Sequence, residues 1–323
     1  MSNLNLNQLL PAIFLMGPTA SGKTGAAVYL HSKLPVEIIN VDSALVFKDM
    51  NIGTAKPDAE TLAIAPHHLI NIIDPTSAYS AANFRNDALR LMADITARGK
   101  IPLLVGGTML YFKALEGGLS GLPEANQEVR ARLDARAALI GWPAMHEKLA
   151  LVDPETASRL QPNDAQRIQR ALEVFELTGE SMSSLFLKQK SEALPYNVLK
   201  IALVPSDRKV LHERIALRFE QMLAAGFLGE VNALLAKYPS LTAESTAMRC
   251  VGYRQALEHL NGEYDAEELC DRGIFATRQL AKRQLTWLRG MDDNIELDCL
   301  NSDLNASVLQ QVEQFIANKN IVK

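Results

Sequence analysis

Short, continuously apolar runs separated by longer segments of helical periodicity organise the chain. "AIFLM" (Ala12–Met16), "VEIINVD" (Val36–Asp42), "IPLLVGGT" (Ile101–Thr108) and "VLKIALVP" (Val198–Pro205) read as strands. Between the second and third, Phe84, Ala88, Leu91, Met92 and Ile95 fall near helical spacing, and Gly99 is a stop signal. Strands apolar on both faces, alternating with helices, predict a parallel sheet covered by helices on both sides. From about residue 122 the pattern changes. "NQEVRARLDARAALIGW" and "AMHEKLALVDPETASRL" carry more charge and read as surface helices, with turns at Gly141–Pro143 and Asp153–Pro154. The expected organisation is an α/β core from residues 1–121 and 163–323, with a small helical insertion at 122–162.

Composition narrows the class only a little. With 323 residues, 48% hydrophobic and 22% charged, the chain can bury a sizeable core. The net charge of −4 advertises neither nucleic acid nor an anionic membrane. The start, "MSNLNLNQLLP", lacks the basic lead and apolar core of a signal peptide. No apolar run reaches the roughly 18 residues that span a bilayer, so a cytoplasmic protein without membrane contact is expected. Cys250, Cys270 and Cys299 lie far apart and form no CxxC pair, which fits reduced thiols.

Charge is uneven near the end of the chain. An acidic stretch, "EYDAEELCD" (Glu263–Asp271), precedes "RGIFATRQLAKRQLTWLRG" (Arg272–Gly290), which holds five Lys or Arg and no Asp or Glu. At about 100° per residue, Arg278, Lys282 and Arg289 share a narrow sector of one helix face. A solvated face is the ordinary fate of such a run. Here no interspersed acid offers i,i+4 pairing, and Trp287 lies within it, a combination that suits a phosphate backbone.

"GPTASGKT" (Gly17–Thr24) carries the chemistry. It matches GxxxxGK(S/T) between a strand and a helix, and a chance match in a chain this long is on the order of one in a hundred. Gly17, Pro18, Thr19, Ala20, Ser21 and Gly22 make up the turn of such a loop, whose backbone N–H groups surround an anion. Lys23 adds a point charge, and the Thr24 hydroxyl can ligate Mg²⁺. The machinery for a γ-phosphate is missing: the third strand ends in Gly106, Gly107 and Thr108 instead of an Asp. The nearest strand-terminal carboxylate is Asp42, open to three readings: a turn cap, a metal ligand or a general base.

Several segments carry a family resemblance. "GPTASGKT", "INVDSALVFKDMNIGTAKP", "PHHLINIIDP", "YSAANFRNDA", "PLLVGGTMLYFKAL", "PNDAQRIQRALEVFELTG", "RCVGYRQ" and "ATRQLAKRQLTWLRG" occur in the order seen in tRNA dimethylallyltransferases, also called tRNA isopentenyltransferases. The likeness covers nearly the whole chain up to Gly290, and the last thirty or so residues carry no signature. It implies a P-loop-type α/β fold and transfer of a prenyl group from dimethylallyl diphosphate to the exocyclic amine of an adenosine. That adenosine lies immediately 3′ of the anticodon in tRNAs reading codons that begin with U. The loop then grips the diphosphate of the prenyl donor.

The resemblance implies roles residue by residue. Asp42 matches the general base, Lys23 and Mg²⁺ on Thr24 meet the leaving group, and Thr108 and Arg130 belong at the reaction centre. The anticodon stem-loop is contacted by Asp42, Ser43, Ala44 and Leu45, by Gln166, Arg167, Ile168, Gln169 and Arg170, and by Ala247, Met248, Arg249, Cys250, Val251 and Gly252. Lys282, Arg283 and Arg289, with Arg278, complete that surface. Leu45 stands where many family members carry Gln, and its side chain makes no hydrogen bond. On "QRIQRALEVF", Ile168, Ala171, Leu172 and Phe175 form the core face, which leaves Arg167 and Arg170 free for a ligand. His67 and His68 are expected to be structural, and the chain is expected to be monomeric. Three other readings compete: a small-metabolite or nucleoside kinase, an RNA-binding protein with a vestigial loop, and a prenyltransferase of free adenine nucleotides. The absent Asp on the Leu103–Val105 strand weighs against the first, the intact Lys23, Thr24 and Asp42 against the second, and the basic Arg272–Arg289 stretch against the third.

Overall fold

The computed structural model describes residues 9–118, 122–123, 125–188 and 194–320. The chain forms two compact units, one from Met1–Glu116 with Pro195–Lys323 and the other from Gly117–Leu194.

The larger unit is built on a six-stranded sheet. Its strands are β1 (Leu10–Met16), β2 (Val36–Val41), β3 (His67–His68), β4 (Ile101–Gly106), β5 (Tyr196–Val204) and β6 (Ile295–Asp298). All neighbours pair in parallel, in the order β3-β2-β4-β1-β5-β6. The four expected strands are present, two of them starting two residues earlier. The edge strands β3 and β6 are too short to show as apolar runs.

Helices cover both faces, as the apolar strands require. On one face lie α1 (Lys23–Lys33) and the last helix. Ala26, Ala27 and Leu30 of α1 pack on Ile13, Leu15, Ile38 and Leu103. The short α2 (Ala59–Ile64) ends at Ala65, which packs in the same cluster. On the other face lie α3 (Ala81–Ala97), capped by a reciprocal Ser80–Asn83 box, and α4 (Met109–Gly117). There Phe14 of β1 meets Phe112, with ring centroids 5.0 Å apart, and Phe84 stacks on Tyr111 at 4.6 Å.

The smaller unit is helical: α5 (Gln127–Val152), α6 (Pro154–Ser158), α7 (Ala165–Thr178) and α8 (Met182–Lys188). Gly141 breaks α5 with φ 81° and ψ 156°, two residues before Pro143, at the turn read from the sequence. This unit is wider than the 122–162 insertion. The α7 stripe of Ile168, Ala171 and Leu172 packs on Val129, Leu133 and Leu149 of α5, so α7 joins the helical unit. Phe175 is only half-buried, and Val174 takes the inward position.

Returning to the larger unit, α9 (Arg208–Ala224), α10 (Phe227–Lys237), α11 (Tyr253–Leu260) and α12 (Ala266–Arg289) share a second core around Phe219, Phe227, Tyr253 and Met248. The closing segment, without a signature in the sequence, is part of the fold. After β6, α13 (Leu304–Asn320) lays Leu304, Val308 and Val312 into the core beneath α1.

Candidate active site

Sheet register brings three loops to one place. Met16 and Val41 both pair with Gly106, so β1, β2 and β4 end at one level. The residues that follow, Gly17, Asp42 and Gly107–Thr108, therefore leave the same carboxyl edge, where open α/β sheets bind ligands. Gly106 has no alternative: a Cβ there would run into the Val41 carbonyl.

The loop from Gly17 turns tightly into α1. A Cβ on Gly17 would meet Ser21 Oγ at 2.6 Å and the Leu203 carbonyl at 2.9 Å. Ala20 (φ 63°) and Gly22 (φ 81°) are left-handed, and no side chain caps α1, which has no acid in its first turn. The first N–H groups of the helix lie at its positive end, which suits an anion. Lys23 Nζ donates to the Pro18 carbonyl at 2.6 Å. Burial lowers its pKa to about 8, against the pull of Asp42 and with the push of Arg218. Thr24 is exposed at the head of α1.

Facing the loop, Asp42 commits Oδ1 to the N–H of Ala44 at 2.8 Å. It therefore does act as a turn cap, and it also lines the cavity. Thr108 Oγ1 accepts the Ser43 N–H at 3.0 Å and donates to Ser43 Oγ at 3.4 Å. Gln284 of α12 bridges the other pair of loops. Its Oε1 accepts the Thr19 N–H at 2.9 Å, and its Nε2 donates to the Gly107 carbonyl at 2.9 Å.

These elements enclose a cavity of about 470 Å³, lined by Thr19–Thr24, Asp42, Ala44, Leu45, Arg214, Arg218, Cys250, Val251 and Gln284. Thr108 does not line it and reaches the site through Ser43. Arg218, from α9, is a cation missing from the sequence reading. Burial lowers its pKa, and Asp42 opposes that shift. The wall formed by the 51–53 turn is held by Glu230, which accepts the N–H groups of Asn51, Ile52 and Gly53 and the hydroxyl of Tyr253. Burial pushes the Cys250 thiol up to about 12, which disfavours the nucleophilic thiolate.

The other expected contacts divide by burial. Ala247 and Met248 are fully buried, so of that segment Arg249 offers an exposed side chain. Gly252, at φ 92°, turns the chain into α11. On α12, Lys282, Arg283 and Arg289 are exposed. Arg278 departs from the expected exposure: it is half-buried and its Nη2 donates toward the His212 carbonyl of α9 at 3.4 Å. Arg272 pairs with Glu268 at i,i+4, so the acidic stretch does reach the run. Trp287 is 41% exposed beneath Lys113. His67 meets the Ala65 carbonyl through Nδ1 at 2.7 Å, and His68 meets Glu37 at 3.1 Å.

Within the helical unit, Glu173 is the organiser that sequence reasoning missed. Its fully buried carboxylate accepts from Arg130 at 2.9 and 3.1 Å, from Arg170 at 2.6 Å and from the Asn126 N–H at 2.7 Å. Burial opposes its ionisation, but these donors outweigh it and hold the carboxyl below its ordinary range. Arg170 is thus not free; it also donates to the Pro123 carbonyl. Arg167 pairs with Asp164 at 3.0 Å and Gln169 with Asp134 at 2.6 Å, Ile168 is core, and Gln166 is exposed.

Among the described residues no helix is long and apolar enough to cross a membrane, and no three His, Cys, Asp or Glu cluster as metal ligands.

A parallel sheet with a GxxxxGK(S/T) loop at its carboxyl edge, facing a carboxylate across a cavity, defines a P-loop-type α/β protein of anionic-ligand chemistry. The family described as IPP transferase matches residues 45–291. The chain is 66% identical to the tRNA dimethylallyltransferase of Methylobacillus flagellatus over 95% of its own length and 98% of that protein's. It is 60% identical to the one from a Janthinobacterium species over 93% and 96%. Among solved structures, the tRNA isopentenylpyrophosphate transferase of Bacillus halodurans superposes with a TM-score of 0.69 at 34% identity, over 97% of both chains. A eukaryotic dimethylallyltransferase acting on tRNA gives 0.80 at 29% identity, over 96% of this chain and 80% of that one. The chain belongs to the tRNA dimethylallyltransferase family.

Proposed function

We propose that this protein transfers a dimethylallyl group from dimethylallyl diphosphate to the N6 amine of the adenosine immediately 3′ of the anticodon. Its substrates are tRNAs reading codons that begin with U, and it works as a cytoplasmic monomer. One observation carries the reading: a single cavity is lined both by the phosphate loop and by Asp42, under a helix whose outer side bears Lys282, Arg283 and Arg289. A kinase fits less well, because β4 ends in Gly106–Gly107, whose carbonyl is taken by Gln284.

The adenine amine is a weak nucleophile, since its lone pair is delocalised into the ring. As its nitrogen bonds to the allylic carbon, the carbon–oxygen bond to diphosphate breaks and the electron pair leaves with the diphosphate. Asp42 accepts the amine proton. Lys23, Arg218 and the N–H groups at the head of α1 stabilise the departing charge. The Thr24 hydroxyl would hold Mg²⁺, which would supply further neutralisation of the departing diphosphate. Arg130 is assigned to diphosphate on the family resemblance, with Glu173 fixing its guanidinium. The base must leave its stack to reach the cavity. Contacts to the anticodon stem-loop are assigned to Asp42–Leu45, Gln166–Arg170, Ala247–Gly252 and Lys282–Arg289, through their exposed members.

The test is incubation with labelled dimethylallyl diphosphate and either unmodified tRNA or AMP, with ATP consumption followed in parallel. Label on tRNA alone is the expected result. Label on AMP makes the acceptor a free nucleotide, and ATP turnover without label transfer makes the protein a kinase.

A further inference from the structure

Gln284 is a buried carboxamide, 9% exposed, set between two loops that belong to different strands. Its polarity is dictated by its partners. The Thr19 N–H requires an acceptor and the Gly107 carbonyl requires a donor, so a flipped amide would face like against like on both sides. Of the side chains of this size, only glutamine satisfies both. A glutamate would set a carboxylate oxygen against the Gly107 carbonyl. The space is equally specific, for a Cβ on Gly107 would overlap Gln284 Nε2. The paired glycines at the end of β4 are thereby explained: Gly106 clears the Val41 backbone and Gly107 admits Gln284.

The bridge continues beyond Gly107. The next residue, Thr108, accepts the Ser43 N–H, and Ser43 follows Asp42. A line of hydrogen bonds and single covalent steps therefore runs from the phosphate loop at Thr19, through Gln284, Gly107, Thr108 and Ser43, to Asp42. One end holds the leaving group and the other takes the proton.

We infer that Gln284 is a positioning residue for prenyl transfer, fixing the separation between the diphosphate cradle and the Asp42 side of the cavity. This rests on the transfer reading above. Reaction between two bound partners depends on near-attack geometry, and a shift of about 1 Å costs on the order of 100-fold in rate. Without the strut, the loops after β1 and β4 keep their strands and lose their mutual register.

The experiment is single-turnover transfer from labelled dimethylallyl diphosphate to unmodified tRNA with the full chain, comparing wild type, Gln284→Met and Gln284→Glu. The rate constant at saturating substrates should fall about 10- to 100-fold in Gln284→Met, and at least as far in Gln284→Glu. The reacting fraction and the KM for tRNA should stay at wild-type values. Amide exchange at Thr19 should quicken in Gln284→Met, because its acceptor is gone. A wild-type rate constant in either variant, or a wild-type rate constant with a reduced reacting fraction, overturns the positioning role. If Gln284→Met does not fold, Gln284→Glu, of the same shape, carries the same reading. A wild type that transfers nothing sinks the transfer reading and this role together, whereas an active wild type with unaltered variants sinks this role alone.

Discussion

The backbone N–H of Ser43 donates to Thr108 Oγ1 at 3.0 Å, tying the loop after β2 to the loop after β4. Thr108 lies outside the cavity lining, so its hydroxyl acts on the site by holding Ser43 beside Asp42. Thr108→Val keeps the shape and removes the acceptor. Transfer at saturating substrates should slow by about 10-fold or more, and Thr108→Ser should restore most of it. Equal rates for the Val and Ser variants would remove the hydroxyl from the mechanism.

Asp42 caps Ala44 with one oxygen and faces the cavity, so two roles have to be separated. Asp42→Asn retains an acceptor for the cap and cannot take a proton. Its single-turnover rate should drop roughly 10²–10⁴-fold, the usual worth of general base help. Affinity for tRNA should change far less. A near-normal rate in the Asn variant would leave Asp42 with the cap alone.

The lowered pKa of Lys23 sets a pH window. Below about 8 the amine is protonated in folded and unfolded chains alike, and the cost of its burial is felt in full. Between about 8 and its ordinary 10.5, the unfolded chain holds a proton that the folded chain has lost, so this group makes stability rise with pH. Binding of inorganic pyrophosphate needs the ammonium and should weaken as pH climbs through about 8. Lys23→Met provides the reference, because the ligand's own titration is common to both proteins. Parallel pH profiles for the two, measured by calorimetry, would show that Lys23 does not titrate there.

Much of this site was legible because its signals are local. Buried parallel strands are continuous apolar runs, and the loop from Gly17 to Thr24 has fixed spacing, so β1, β2, β4 and Asp42 can be placed from the sequence. Arg218 and Gln284 cannot. Each sits on a long helix among other polar residues, and sequence alone does not say which of them turn inward. Arg278 shows the same ambiguity in reverse, since its spacing matched Lys282 while α9 captures it. The extent of the helical unit was hidden because the α7 stripe could pack on a sheet as well as on α5. Edge strands β3 and β6 carry too few residues to show periodicity.

Glu173 gives a prediction about stability. A fully buried carboxylate shared by Arg130 and Arg170 is costly to remove, because both guanidinium groups lose their counter-charge. Glu173→Gln should destabilise the helical unit by about 3 kcal/mol, the lower end for breaking a buried pair. Hydrogen exchange should accelerate over α5 and α7 and stay unchanged over the sheet. Uniform acceleration across both units would mean that the two do not unfold separately.

The basic side of α12 contains two kinds of arginine, and salt dependence separates them. Lys282, Arg283 and Arg289 are exposed, whereas Arg278 is drawn to the His212 carbonyl and its Nε is buried without a hydrogen bond among the described residues. Each phosphate neutralised by a side chain releases counterions, worth roughly 0.7–0.9 in the log–log slope of affinity against salt. Alanine at Lys282, Arg283 and Arg289 together should therefore flatten the salt dependence of tRNA binding by a slope of about two, and weaken matched and mismatched tRNAs alike. Thermal stability should stay close to wild type, because exposed charges contribute little to it. Arg278→Ala should do the reverse, leaving the slope intact and lowering stability by about 1 kcal/mol as its hydrogen bond to α9 disappears. A slope carried by Arg278, and unaffected by the exposed three, would move the RNA off this face of the helix.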